Sequence, residues 1–157
     1  MKIKIKLVKF DDLIKLAEIY SKAFSEADPQ KPWDIENSYK HLKFWFDIQP
    51  DMFFVAFDKK DNILGGVASL IKPWRISNRC SAGVIFVNPD IQTKGVGRVL
   101  FSKMLSEAIK KYNAKSFEAI TFAGKEFPAS WYKSLGILPD KGALLVKGSC
   151  FEILSKL

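Results

Sequence analysis

Apolar residues alternate with lysines and other polar residues from Ile3 to Phe10, the two-residue period of a half-buried strand. Asp11 and Asp12 follow as candidate helix caps, and Leu13, Leu16, Ala17, Tyr20 and Phe24 then recur at helical spacing. A helix is therefore predicted to about Phe24, stopped by the two prolines of Ala27-Asp28-Pro29-Gln30-Lys31-Pro32. Asp34 caps a second predicted helix through Tyr39, Leu42 and Phe46, which ends before Pro50. Met52 to Phe57 and Ile63 to Ile71 read as strands joined by the turn residues Asp58-Lys59-Lys60-Asp61-Asn62, an antiparallel hairpin. Ala82 to Val87 is a further strand, ended by Asn88-Pro89-Asp90.

A long helix is predicted from about Gly95 to Tyr112, with Leu100, Phe101, Met104, Leu105, Ala108 and Tyr112 as its apolar stripe. Phe117 to Phe122 reads as a strand. The intervening helix makes it a parallel partner of 82–87 through a right-handed crossover. A short helix from Pro128 carries Trp131 and Tyr132 and stops at Gly136. Ala143 to Leu154 is expected to add one or two strands around Gly148. The order predicts an α/β (α+β) fold, a mixed sheet flanked by helices. With 157 residues and no visible boundary, the expectation is a single domain over 1–157.

Composition narrows the chemistry. No apolar run reaches the roughly 18–20 residues of a spanning helix, and the N-terminus lacks the apolar block of a signal peptide. No membrane partner and a cytoplasmic location are therefore expected. Cys80 and Cys150 are too few for a disulfide framework and are expected to be buried small apolar residues; with a single histidine, His41, no metal site is expected. The net charge of +8 favours anionic partners: nucleic acid, an acidic membrane or a phosphate-rich cofactor. No recognition helix or aromatic RNA-binding motif supports nucleic acid. Phe44-Trp45-Phe46 is compatible with a homodimer.

One stretch carries candidate chemistry. The strand ending at Val87 runs through Asn88-Pro89-Asp90-Ile91-Gln92-Thr93-Lys94 into Gly95-Val96-Gly97-Arg98 at a helix start. Helix-first amides lack intrahelical partners and carry partial positive charge, and two glycines leave them open to a bulky anion. The pattern fits a phosphate ligand, with Lys94 and Arg98 adding charge, or a turn needed only for close helix packing. Leu100 stands where a dinucleotide fingerprint wants Gly or Ala, and no Gly-Lys-Ser/Thr marks a nucleotide-triphosphate loop.

Val87-x-Pro89 followed by Gln92-x-x-Gly95-x-Gly97 resembles the acetyl-CoA signature of the GNAT superfamily of N-acetyltransferases. Ala129-Ser130-Trp131-Tyr132-Lys133-Ser134-Leu135-Gly136-Ile137 resembles a second segment of that family, in the expected order. The resemblance implies a mostly antiparallel sheet with a central parallel pair that splays apart to admit acetyl-CoA. Phe86 and Val87 would pair with the pantetheine arm, and Gln92, Thr93, Lys94, Gly95, Val96, Gly97 and Arg98 would hold the pyrophosphate. Tyr132 stands at the family's thiolate-protonating position. Gly124-Lys125-Glu126 stands where many members have a cofactor-binding asparagine, so that contact is either taken over by Lys125 or lost. The family's occasional glutamate base has no counterpart, since Ser81 stands near its place; Glu118, Glu26 and Asp28 are the candidate carboxylates, and a water chain with no single base is the open alternative. The implied activity is transfer of acetyl to an unidentified primary amine. Glu26, Asp28, Trp33 and Trp74 are candidate acceptor contacts, with Tyr39 and Trp45 as further aromatics. The alternatives are a non-catalytic acyl-CoA sensor of the same fold and a basic nucleic-acid-binding protein.

Overall fold

The computed structural model describes residues 2–91, 95–122 and 126–156. It forms two compact units, one through Ile120 and one from Thr121 onward.

The first unit is a five-stranded sheet in sequential order: β1 (Lys4–Leu7), β2 (Phe53–Phe57), β3 (Ile63–Trp74), β4 (Ser77–Val87) and β5 (Ala114–Ala119). Every neighbouring pair is antiparallel except β4 and β5, which are parallel. This is the mixed α+β architecture expected from the sequence. Helices α1 (Leu13–Ala27) and α2 (Ile35–Ile48) pack Leu13, Leu16, Tyr20 and Leu42 against Phe53, Val55, Val84 and Phe86. Helix α3 (Val96–Tyr112) buries Leu100, Phe101, Met104 and Ala108. With helices on its faces, β2 is buried along its whole length, and its run Phe-Phe-Val-Ala-Phe is accordingly continuous rather than alternating.

Local chemistry explains the boundaries. Asp34 accepts the Asn37 backbone N–H at 2.7 Å, the cap that starts α2. Asp58 accepts the backbone N–H groups of Lys60 and Asn62 in the β2–β3 turn. Asn113 takes a left-handed conformation (φ 51°) that stops α3 and leads directly into β5.

Four boundaries differ from expectation. β1 is confined to Lys4–Leu7, because the chain turns into a 3-10 segment at Phe10, where the Asp12 carboxylate accepts the Lys9 N–H at 2.8 Å. β4 begins at Ser77, not Ala82, and β3 continues to Trp74, so Arg75 and Ile76 form a tight hairpin turn. The polar run Ser77-Asn78-Arg79 masks that half of the strand; its place in the sheet comes from pairing on both edges. β5 covers Ala114–Ala119 rather than 117–122, set by its register against Asn78–Ala82.

The second unit contains α4 (Glu126–Ser134), a turn at Gly136 (φ 76°) and α5 (Cys150–Leu154). The strands expected over Ala143–Leu154 are absent from its described residues. Ser149 caps α5 instead, accepting the Glu152 backbone N–H, and Ser149-Cys150-Phe151-Glu152 has the Ser-x-x-Glu spacing of a helix start. Cys150 is exposed, contrary to expectation, because it opens this surface helix; Cys80 is buried and burial raises its thiol pKa. Among the described residues, no helix is long and apolar enough to cross a membrane, and no three His, Cys, Asp or Glu side chains group to hold a metal.

Candidate active site

The two halves of β4 have different neighbours. Its β3 edge is paired from Ser77 to Val87 and continues through Asn88 N–H donating to the Leu64 carbonyl at 2.8 Å. Among the described residues, its β5 edge is paired from Asn78 to Ala82 and no further. Ala68 pairs with Val84 and Ser69 with Ala82, so Gly83 is an extra residue, a β-bulge. A bulge bends its strand and disrupts the ladder, and here β4 parts from β5 at the residue before it.

Glycine is required at the bulge. A Cβ on Gly83 would lie 2.5 Å from Cε2, Cζ2 and Cη2 of Trp45, so the indole of α2 occupies the space a side chain would fill. Trp45 Nε1–H donates to His41 Nε2 at 3.3 Å. His41 lies among rings, with centroids 5.2 Å from Trp33 and 5.6 Å from Tyr20, and burial lowers its pKa. Tyr20 in turn meets Phe86 edge-to-face at 5.2 Å.

Beyond Val87 the chain reaches Gly95, which adopts φ 79°, and among the described residues nothing outside its own chain neighbours and helix backbone lies within 4 Å of where a Cβ would stand. The first intrahelical acceptor of α3 is the Gly95 carbonyl, bonded by Val99 N–H at 3.2 Å. The Val96, Gly97 and Arg98 amides therefore precede the regular ladder. Among the described residues, a Cβ on Gly97 would meet Val87 Cγ2, at 3.7 Å, and no other side chain within 4 Å, and Arg98 is exposed. Among the described residues, a strand edge without a partner and a helix start that no other group blocks thus lie in succession along the chain. Both features fit a long ligand with a polar amide arm and a phosphate end, the character of acetyl-CoA.

Of the expected cofactor contacts, Phe86, Val87, Gly95, Val96, Gly97 and Arg98 lie on this edge and helix start. Gln92, Thr93, Lys94 and Lys125 lie outside the described residues. Tyr132 is in α4, 8% exposed, and burial raises its phenol pKa, so it carries its proton at neutral pH.

The acceptor-side candidates separate. Trp33 turns inward onto Tyr20 and His41, and its loop is tied to α1 by Trp33 N–H donating to Ser25 Oγ at 3.0 Å and Ser21 Oγ–H donating to the Trp33 carbonyl at 2.5 Å. Glu26 is exposed on the last turn of α1, and Asp28 ends that helix, its N–H donating to the Phe24 carbonyl at 2.9 Å. Tyr39 and Trp45 pack against the core. Trp74 lies elsewhere, opposite Ser77 at the hairpin tip, roughly 23 Å along β4 from Val84 at ~3.3 Å per residue. Its ring faces the Arg79 guanidinium at 4.1 Å and the Lys72 ammonium at 5.4 Å.

Glu118 faces Ser81 in the paired half. Burial raises its pKa, but hydrogen bonds from Lys72, Arg79 and Ser81 outweigh this and hold it below the ordinary glutamate value. A carboxylate so held is a poor proton acceptor. His41 and Gly83 carried little signal in the sequence: a lone histidine on a helix and a glycine inside an apolar strand acquire meaning only once Trp45 is seen between them.

Residues 13–137 match the acetyltransferase (GNAT) family, and the chain belongs to that family. Solved structures share the fold. A possible acetyltransferase from Clostridium difficile 630 superposes with TM-score 0.76 at 16% identity, covering 94% of this chain and 97% of its own. An acetyltransferase from Trypanosoma brucei gives TM-score 0.65 at 13% identity over 93% and 99% of the two chains. A NatC complex bound to Gag peptide and CoA gives 0.66 at 16% over 86% and 84%. No curated protein matches the chain.

Proposed function

We propose that this GNAT-family acetyltransferase moves an acetyl group from acetyl-CoA to a primary amine by direct attack. The observation that carries the reading is the half of β4, Gly83–Val87, whose β5 edge has no partner among the described residues and which runs toward the glycine-led start of α3. Backbone groups of Phe86 and Val87 pair with the pantetheine amides as a neighbouring strand would. The amides from Gly95 to Arg98 take the pyrophosphate, with Gln92, Thr93, Lys94 and Lys125 proposed as further contacts. That a NatC complex was crystallised with CoA supports the ligand class for this fold.

The acceptor must be neutral to attack the thioester carbonyl. An α-amine of ordinary pKa about 7.7–8 needs less help than a lysine side chain at about 10.4. Amide donors of the open edge stabilise the developing oxyanion, and Tyr132 protonates the departing thiolate. Trp33, Glu26 and Asp28 are proposed on the acceptor side, the ring for a cation–π contact and the carboxylates for attraction. Trp74 has no part in this reading, because the hairpin places it far down the strand.

One observation favours the non-catalytic sensor as a second reading: Glu118, the carboxylate of β5, is bound to Lys72 and Arg79 in the paired half. Mixing the protein with acetyl-CoA and a panel of amines, peptides and polyamines, and following free thiol, separates the two. Turnover above the hydrolytic background supports transfer. Saturable acetyl-CoA binding without thiol release supports the sensor, and absence of binding overturns both.

A further inference from the structure

We propose that His41 is a positioning residue for the cofactor edge: neutral, it holds the Trp45 indole over Gly83 and so maintains the bulge; protonated, it lets that indole go. The proposal rests on the reading of Gly83–Val87 as the acetyl-CoA edge.

The geometry fixes the protonation state of the imidazole. An indole N–H can only donate, so His41 Nε2, 3.3 Å from Trp45 Nε1, must accept. The proton of the neutral ring then sits on Nδ1. Adding a second proton at Nε2 places two N–H groups face to face, removing the hydrogen bond and adding repulsion. The consequence falls on the strand, because the same indole fills the Cβ position of Gly83. Gly83 is the extra residue at which β4 departs from β5.

The surroundings of His41 favour the neutral ring. Helix α1 presents Tyr20, the interhelical loop presents Trp33, and α2 presents Trp45. Of these only Tyr20 titrates, and burial keeps its phenol protonated beyond the ordinary tyrosine value. The residues one helical turn away, Asn37, Ser38, Phe44 and Trp45, carry no charge. None of these neighbours offers a carboxylate to pair with an imidazolium, and burial lowers the His41 pKa despite the surrounding rings. The switch therefore acts on the acid side of neutrality.

The test compares wild type with His41→Gln, whose amide oxygen accepts the indole N–H and does not titrate, and with Trp45→Phe, which keeps a ring near Gly83 but has no N–H. Two quantities are followed from about pH 7.5 to about pH 5: the Trp45 indole N–H resonance, assigned by its loss in Trp45→Phe, and acetyl-CoA affinity by calorimetry. In wild type the resonance should shift with a midpoint below the ordinary histidine pKa, and affinity should fall through the same midpoint, by up to about tenfold per pH unit below it. Both variants should lack this component of the affinity change, and His41→Gln should keep near-neutral affinity. Titration of the cofactor's own phosphate is common to all three proteins and cancels. The same acid loss of affinity in either variant would overturn the role of His41, as would a wild-type resonance that titrates while affinity tracks the variants. No acetyl-CoA binding by wild type at any pH, with the resonance still titrating, would overturn the cofactor edge on which the proposal stands.

Discussion

Along β4 the same backbone meets two environments. From Asn78 to Ala82 it is bonded on both edges and cross-linked by side chains: Asn78 Nδ2–H donates to the Tyr112 carbonyl at 2.6 Å, and Arg79 reaches Ser116 at 3.1 Å and Glu118 at 2.8 Å. From Gly83 to Val87 the β5 edge has no partner strand among the described residues, yet Val84 and Phe86 remain buried against α1 and α2. The paired half thus spends its polar groups on the fold, while the open half is packed through its side chains and leaves one backbone edge available. Side chains packed beneath a free edge suit a strand-like ligand arm, because the arm's amides can pair with backbone groups that no neighbouring strand takes. The Gly83 bulge divides the halves.

The sharpest way to break this contrast lies with the reaction the open half is proposed to host. Tyr132→Phe removes one hydroxyl and keeps the ring. If that hydroxyl protonates the thiolate, kcat should fall roughly 10²–10⁴-fold while the affinity for acetyl-CoA changes little. Steady-state kinetics with a turned-over amine, checked for rate-limiting chemistry, decides it; unchanged kcat would remove Tyr132 from the mechanism.

Next comes Gly95→Glu. At about 100 Kd of acetyl-CoA the wild-type fold should gain about 2.7 kcal/mol, read as a rise in melting temperature. A carboxylate at the helix start should cancel that rise. Gly95→Ala is the control: there is room for the methyl group, so only the left-handed backbone costs, about 1–2 kcal/mol of intrinsic stability, and the ligand-induced rise should persist. A full ligand shift in Gly95→Glu would move the pyrophosphate elsewhere.

Gly83→Ala probes the boundary itself. A Cβ 2.5 Å from Trp45 must displace the indole or the strand, an overpacking cost of about 1–3 kcal/mol in chemical denaturation. Trp45→Phe/Gly83→Ala should recover part of it, because the smaller ring makes room. An additive double mutant would show that the two side chains do not compete for that space.

How much of this was readable beforehand follows from where the information resides. Periodicity, caps and turn residues announced α1, α2, α3 and the β2–β3 hairpin, since those signals are local. The Gly95-x-Gly97 spacing announced the helix start for the same reason. The first half of β4 was hidden because Ser77-Asn78-Arg79 is neither apolar nor alternating; its partners, Trp74 and Ala114, hold it in the sheet. The apolar run at Leu144-Leu145-Val146 suggested a strand, yet a strand also needs a neighbour, and all three residues are exposed. In the sequence Trp33 and Trp74 are both candidate acceptor contacts, and only the folded chain sends one to Tyr20 and the other to the hairpin tip.

The smallest effect is expected in the paired half. Glu118 is held by Lys72 and by Arg79, pairs that remain partly exposed, so Glu118→Gln should cost no more than about 1 kcal/mol at neutral pH. Its sign with pH is definite. The folded pKa lies below the ordinary glutamate value, because the hydrogen bonds from Lys72, Arg79 and Ser81 outweigh the opposing effect of burial. The unfolded chain therefore takes up a proton first as pH falls. The stabilisation is fully present above the unfolded pKa of about 4.3 and is lost as pH drops through the lower folded value. Wild type and Glu118→Gln should accordingly differ at neutral pH and converge in acid, measured by urea denaturation. Because this carboxylate belongs to the closed half, kcat and its pH profile should not change. A variant that lost the acid limb of the activity profile while keeping its stability would make Glu118 the amine's base and erase the division of labour along β4.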